Sequence, residues 1–403
     1  MIRRFFILAL VMISSLIGYA QKKEIAAARD QIKSGKNLDK AEAAMMMLLE
    51  DSTKRDQKKI WLTLFSAQRE QYEQGNEKLY LKQAYDTAQL FVLVRKMFET
   101  LEAFDSIDAK PDKQGKVRPE YRRRHAEFLN EYRPNLYNGG LYFIRKQNYA
   151  EGYRYMDMYI NNAHQPMFRD YQYNEKDKKM PLAAYWAVYC GWKMKNPQAT
   201  LRHTYLALKD STHADLMLQY LAETYLLEQD TVRYVKTLSD GFMHYPRFRY
   251  FFPRLMEYYS TRHELDSAMS IVNKALTHDP KNEIYHFAKS IVLLNSEKYN
   301  DCITLCDSLL SVNDSLRGAY LNAGLAYFNK AVEIDKNARA INKKTKGRIF
   351  ENYEKSRQYL ERYRQLAPDQ KERWGMPLYT IYLNLNMGEQ FDEIDKILRN
   401  GRK

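Results

Sequence analysis

Residues 249–282, RYFFPRLMEYYSTRHELDSAMSIVNKALTHDPKN, hold two helical patterns and a stop. Phe252, Leu255, Met256 and Tyr259 recur at the three- and four-residue spacing of one helix face, and Ala268, Val272 and Ala275 do so on a second helix. Pro280 ends the second helix, because proline has no amide donor and its ring clashes with the preceding turn. A step of 34 residues towards the N-terminus puts Leu218, Leu221, Ala222 and Tyr225 in the first-helix positions, followed by Tyr234, Leu238, Gly241 and Pro246. A further step finds Ala184, Ala187 and Val188, then Thr200, Thr204 and Ala207. In the other direction the step finds Tyr299, Cys302, Cys306 and Leu309. Such self-similarity at a fixed period is the signature of a repeat architecture.

The frame extends further towards the N-terminus. It catches Leu136, Gly139, Gly140 and Phe143 with Tyr149, Gly152, Met156 and Tyr159, and it catches Ile25, Ala28 and Ile32 with Ala41, Met45 and Leu48. Small side chains such as Gly140, Gly152, Ala222 and Ala268 let paired helices approach closely, and Tyr225 and Tyr259 fill the gap against the next unit. One pair cannot bury both apolar faces, so stability comes from stacking. These residues resemble the tetratricopeptide repeat, over most of residues 22–400. The resemblance implies an all-α fold, an α-solenoid of stacked helix-turn-helix units winding as a right-handed superhelix, with a concave groove lined by first helices.

Residues 21–132 are expected to be an N-terminal, partly degenerate region, and 133–400 the regular array. Its units start near 133, 181, 215, 249, 283, 317 and 371, with insertions near 166–180 and 331–350. Within 56–132, KKIWLTLFSAQREQY and KLYLKQAYDTAQLFVLVRKMFETLEAF read as two helices and DSIDAKPDKQGKVRP as a loop, before EYRRRHAEFLNEYR returns to helix. NNAHQPMFRDYQYNEKDKKMP, polar and ended by proline, reads as an exposed loop. KNARAINKKTKGR, residues 336–348, carries six basic residues and no acid inside one unit. Its helical flanks predict a projecting, positively charged hairpin turning at Lys343 to Gly347.

At the N-terminus, MIRRFFILALVMISSLIGYA places two arginines before a short apolar run and closes on small residues, the pattern of a secretory signal cleaved after Ala20. A retained N-terminal anchor is the alternative. Export from a bacterial cytoplasm leads to the periplasm, with the outer membrane as a place for peripheral attachment. Without residues 1–20 the chain has 62 basic and 50 acidic residues, a formal charge of +12. A basic balance suits nucleic acid, anionic lipid or an acidic protein, and export removes nucleic acid from that set. Three cysteines, Cys190, Cys302 and Cys306, are too few for a disulfide framework and fit buried packing.

Chemistry is sparse. There is no phosphate-cradling loop, nucleophile elbow or HExxH pattern, and no two acids are marked as buried together, so no enzyme, cofactor or small-molecule substrate is expected. His286, Cys302 and Cys306 share a unit and could hold zinc, but all three fill ordinary core slots of the repeat. Carrying the family's concave positions onto these units selects Tyr137 and Arg145; Tyr185, Tyr189, Trp192 and Lys193; Phe287 and Asn295; Phe328 and Asn329; and Tyr379 and Tyr382. Aromatic rings with a few amides and cations suit a protein-binding surface, since they bury large area and keep a polar handle. The lysine and asparagine set with which some family members clamp a C-terminal carboxylate is not reproduced here. The expected role is a non-enzymatic scaffold of the bacterial cell envelope that binds a partner-protein segment. The alternative is an adaptor held on anionic lipid or polysaccharide by residues 110–124 and by Lys343, Lys344, Lys346 and Arg348.

Overall fold

A computed structural model describes residues 21–338 and 342–400 of the chain, so the leader expected at 1–20 lies outside the described residues. The described residues are helices joined by turns and by a longer loop at 109–121, with no strand among them. They group into two compact units, one ending at Tyr234 and one beginning at Val235.

The first unit opens with α1 (21–34), α2 (Leu38–Glu50), α3 (Lys58–Tyr80) and α4 (Thr87–Asp108). It continues with α5 (Arg122–Arg145), α6 (Tyr149–Asn161), α7 (Tyr173–Lys176), α8 (Met180–Lys193), α9 (Pro197–Arg202), α10 (Thr204–Ala207) and α11 (Ala214–Leu227). The division between units falls within α12 (Thr231–His244). The second unit contains α13 (Phe251–Thr261), α14 (Leu265–His278), α15 (Glu283–Asn295), α16 (Tyr299–Val312), α17 (Arg317–Asn337), α18 (Lys343–Leu366), α19 (Lys371–Asn384) and α20 (Gly388–Asn400).

The turns inside the hairpins carry the period more sharply than the apolar residues do. Lys195, Gln229, His263 and Glu297, a constant step of 34, all adopt left-handed backbone with φ between 52° and 60°. Each closes the same pair of bonds. Lys195 donates to the carbonyl of Trp192 and Asn196 to that of Gly191, and the pattern recurs at Gln229 with Asp230, at His263 with Glu264, and at Glu297 with Lys298. This is the Schellman end of a first helix, which satisfies carbonyls that the helix leaves without partners. Gln147 with Asn148 and Asn386 with Met387 close identical turns outside the strict period.

Packing follows the sequence order. In the second unit each helix packs on the next, and first helices also pack on one another, α15 on α17 and α17 on α19. In the first unit α8 likewise meets α11. Small residues sit where helices are closest. A Cβ on Gly324 would lie 2.7 Å from Leu360 Cγ, and one on Gly140 the same distance from Met156 Cε. Stacked hairpins with this period, turn and packing make an α-solenoid of helix-turn-helix repeats.

Three local expectations are corrected, and a proline is found inside α5. The helix expected to run unbroken from Lys78 stops at Tyr80, where Lys82 takes a left-handed conformation, and α4 restarts on an Asp86 cap whose carboxylate accepts from the Ala88 amide. α5 continues through Pro134 as a single helix of 24 residues. Its buried face is continuous across the proline, from Ala126 and Leu129 to Leu136 and Phe143, and that burial offsets one missing hydrogen bond. The polar segment after α6 is not an exposed loop. It forms tight turns that bury Met167, Phe168 and Tyr173, with the Phe168 ring 6.3 Å from that of Phe98. Finally, Lys343 to Gly347 do not form the hairpin turn. They are the first residues of α18, started by the Asn342 side chain accepting from the Thr345 amide.

Candidate functional site

α8 buries Ala183, Ala184, Ala187, Val188, Cys190 and Gly191. That leaves Trp186, Tyr189, Trp192 and Lys193 half-buried or exposed along another flank. They form a ladder. Trp186 and Tyr189 meet edge to face at 5.7 Å, Tyr189 lies 5.9 Å from Trp192, and Trp192 stacks on Tyr220 of α11 at 4.4 Å. Tyr149 of α6 adds an edge contact to Tyr189 at 5.9 Å.

Polar groups hold the ladder. Trp192 donates from Nε1 to Glu223 Oε2 at 2.7 Å, and Gln219 donates to the other carboxylate oxygen at 3.0 Å. Lys193 places its ammonium 4.6 Å from the Trp192 ring centroid, a cation on a π face. Burial pushes the hydroxyls of Tyr185, Tyr189 and Tyr220 above their ordinary range, so they are neutral donors. Beside the ladder opens a cleft of about 360 Å³, lined by Trp192, Lys193, Asn196, Thr200, Glu223 and Leu227 among others. An indole face, a cation, a carboxylate and an amide can grip an extended peptide by stacking and by hydrogen bonds to its backbone.

Of the residues selected from the sequence, Tyr189, Trp192 and Lys193 meet in this site. Tyr185 belongs to its floor, 4% exposed and stacked on His213 at 4.3 Å. Tyr137 is buried, its ring 5.6 Å from that of Tyr159, whereas Arg145 is exposed at the end of α5. In the second unit Phe287 fills the space that a Gly318 side chain would take, and Asn295 is exposed. Phe328 packs on Tyr353 at 5.8 Å beside half-buried Asn329. Tyr379 packs on Phe391 at 4.6 Å, and Tyr382 is buried, its hydroxyl donating to Glu361 at 3.0 Å.

Sequence reasoning missed Trp186, Gln219, Tyr220 and Glu223. The repeat itself held the signal, since the 34-residue step from Tyr185, Trp186 and Tyr189 lands on Gln219, Tyr220 and Glu223.

His286 turns its Nε2 to the Pro280 carbonyl at 2.8 Å, and the Cys302 thiol lies 3.3 Å from the Ser290 carbonyl in an apolar core with Cys306. Among the described residues no three potential ligands gather for a metal. One carboxyl is pushed strongly upward. Burial pushes Glu102 up to about 7, although the Asn162 side chain donates to it, and Glu99 acts in the same direction as burial. In the 110–124 segment, Lys110 pairs with Asp56, and Arg122 holds buried Asp105 through two bonds of 2.8 and 2.9 Å, so part of its charge is spent internally. Lys343, Lys344, Lys346 and Arg348 are all exposed. No described helix is long and apolar enough to cross a membrane.

No family model and no curated protein sequence matches this chain. Among solved structures it is similar to the P58(IPK) TPR domain, with 10% identity over 95% of this chain and 99% of that one, at a TM-score of 0.25. It is also similar to yeast Tom70, with 12% identity, 94% and 92% coverage and a TM-score of 0.26. A third is the APC/C hetero-tetramer Cut9-Hcn1, with 11% identity, 94% and 79% coverage and a TM-score of 0.23.

Proposed function

We propose that this array is an exported, non-enzymatic scaffold of the bacterial cell envelope that captures an extended segment of a partner protein along α8. The observation that carries the reading is the Trp186–Tyr189–Trp192 ladder beside an open cleft, with Lys193 and Glu223 supplying charges of both signs. Large aromatic groups left half-exposed on a folded surface mark interaction sites. The leader pattern in residues 1–20 supports export.

A photo-crosslinking residue at Lys193, compared with one at exposed Lys178, tests this in cells. A discrete adduct is expected from position 193 alone, lost in Trp192→Ala. Recovery of the protein only as a free monomer from both positions, across growth conditions, would overturn the reading.

A further inference from the structure

The α17–α18 pair is longer than its neighbours. α17 has 21 residues and α18 has 24, against 13 or 14 in α15, α16, α19 and α20. At about 1.5 Å per residue, the pair extends roughly 10 Å beyond them. The Phe328–Tyr353 ring contact sets the level of the two helices, so Val332 and Phe350 fall about a turn nearer the tip. Both are open to solvent, Val332 at 40% and Phe350 at 49% exposure. Beyond them come Lys336 on α17 and Lys343, Lys344, Lys346 and Arg348 on α18, all exposed. The ion pairs of α18 begin with Lys355 and Glu351, and none among the described residues engages the four cations of its first turns. Glu351 lies on the body side of these cations, and Glu333 and Asp335 on α17 stand level with Arg348 and Lys346, so the five cations outnumber the acids at this end.

We propose that the α18 face carrying exposed Lys343, Lys346 and Phe350, which recur at the three- and four-residue spacing of one helix face, lies side-on against an anionic lipid bilayer, with the cations among the headgroup phosphates and Phe350 reaching the acyl boundary. Exposed Phe350 on the same face as Lys343 and Lys346 decides the partner. A dissolved polyanion would be met by the cations alone, whereas a bilayer interface receives cations and apolar side chains at adjacent depths. The surface is separate from the α8 ladder and needs none of its residues.

Flotation with phosphatidylcholine vesicles, with and without phosphatidylglycerol, tests the proposal on the chain purified from the cells that make it. The expected result is partitioning that requires phosphatidylglycerol and falls tenfold or more in the Lys343→Gln, Lys344→Gln, Lys346→Gln, Arg348→Gln protein, by roughly a factor of several per charge. Salt at about 1 M, where screening acts within about 3 Å, abolishes the difference. Phe350→Ser weakens binding several-fold and leaves the salt dependence unchanged. Trp192→Ala leaves binding intact. Unchanged melting of the fourfold variant confirms that it folds, as exposure of the four side chains predicts. Equal partitioning of wild-type and fourfold-variant protein would overturn the proposal. So would retention by soluble polyphosphate as strong as by vesicles and indifferent to Phe350, which would assign the tip to a dissolved polyanion.

Discussion

Arg133 donates from Nη1 to Asp177 Oδ2 across 2.5 Å, joining α5 to the segment that follows α6. Its guanidinium carbon lies 3.8 Å from the ring centroids of both Tyr159 and Tyr173. Asp177 also accepts from the Tyr159 hydroxyl at 2.6 Å and the Lys179 amide at 2.9 Å. Burial works against the charge, yet the bonds from Tyr159 and Arg133 hold the Asp177 carboxyl below its usual range. Arg133→Ala should lower stability by about 3–5 kcal/mol, because it strands a part-buried carboxylate. Arg133→Lys should recover only a fraction, lacking the planar fork that stacks between two rings. Urea unfolding measures both. The pair's contribution is present at neutral pH and should fade as pH falls through the carboxylate range, since a depressed group must take up its proton for the pair to break.

Glu102 gives the opposite pH sign. Its folded-state value of about 7 lies above the ordinary 4.5, so folding favours its protonated form. The stability it supports is complete below pH 4.5 and is lost as pH rises towards 7. Glu102→Gln, which mimics the neutral acid, should raise stability at pH 8 by about 2–3 kcal/mol and leave it unchanged near pH 4. Melting curves across that range should show a flatter pH slope in the variant.

The repeated left-handed turns are occupied by residues that pay for the conformation. Gln229 and Glu297 hold φ of 60° and 59°, where a Cβ crowds the following carbonyl at a cost of about 1–2 kcal/mol. Gln229→Gly and Glu297→Gly should each stabilise by about 0.5–1 kcal/mol, the relief being reduced by glycine's freedom in the unfolded chain. Gln229→Val should destabilise. Denaturant midpoints order the three variants.

Gly191 and Gly347 separate packing from propensity. A Cβ on Gly191 would lie 2.4 Å from Thr200 N and 2.7 Å from Ala199 C, backbone that cannot swing aside. Gly191→Ala should therefore cost about 1–3 kcal/mol or more. Nothing lies within 4 Å of a Cβ on Gly347, so Gly347→Ala should gain about 0.5–1 kcal/mol of helix propensity. Thermal melts of the two variants should move in opposite directions.

The hairpin pattern was legible because its cause is local. Pro280, the apolar spacing of 252–275 and the small Ala268 and Ala275 within it identify a helix pair without knowledge of its neighbours. Part of the ladder was legible by projection, as Tyr189, Trp192 and Lys193 show. Tyr220 and Glu223 were equally within reach of the 34-residue step. Tyr137, Tyr185 and Tyr382 resemble groove residues in type and position, yet neighbouring helices cover them.

By itself the sequence determined the all-α class and the 34-residue step, since both follow from side-chain spacing along a single helix and from where helices stop. Tertiary structure decided which aromatic residues stay open, why α5 runs through Pro134, and that the polar segment holding Phe168 and Tyr173 folds inward. Burial is a property of residues far apart in the chain. Phe98, Arg133 and Tyr159 hold that segment from positions that no local pattern connects to it.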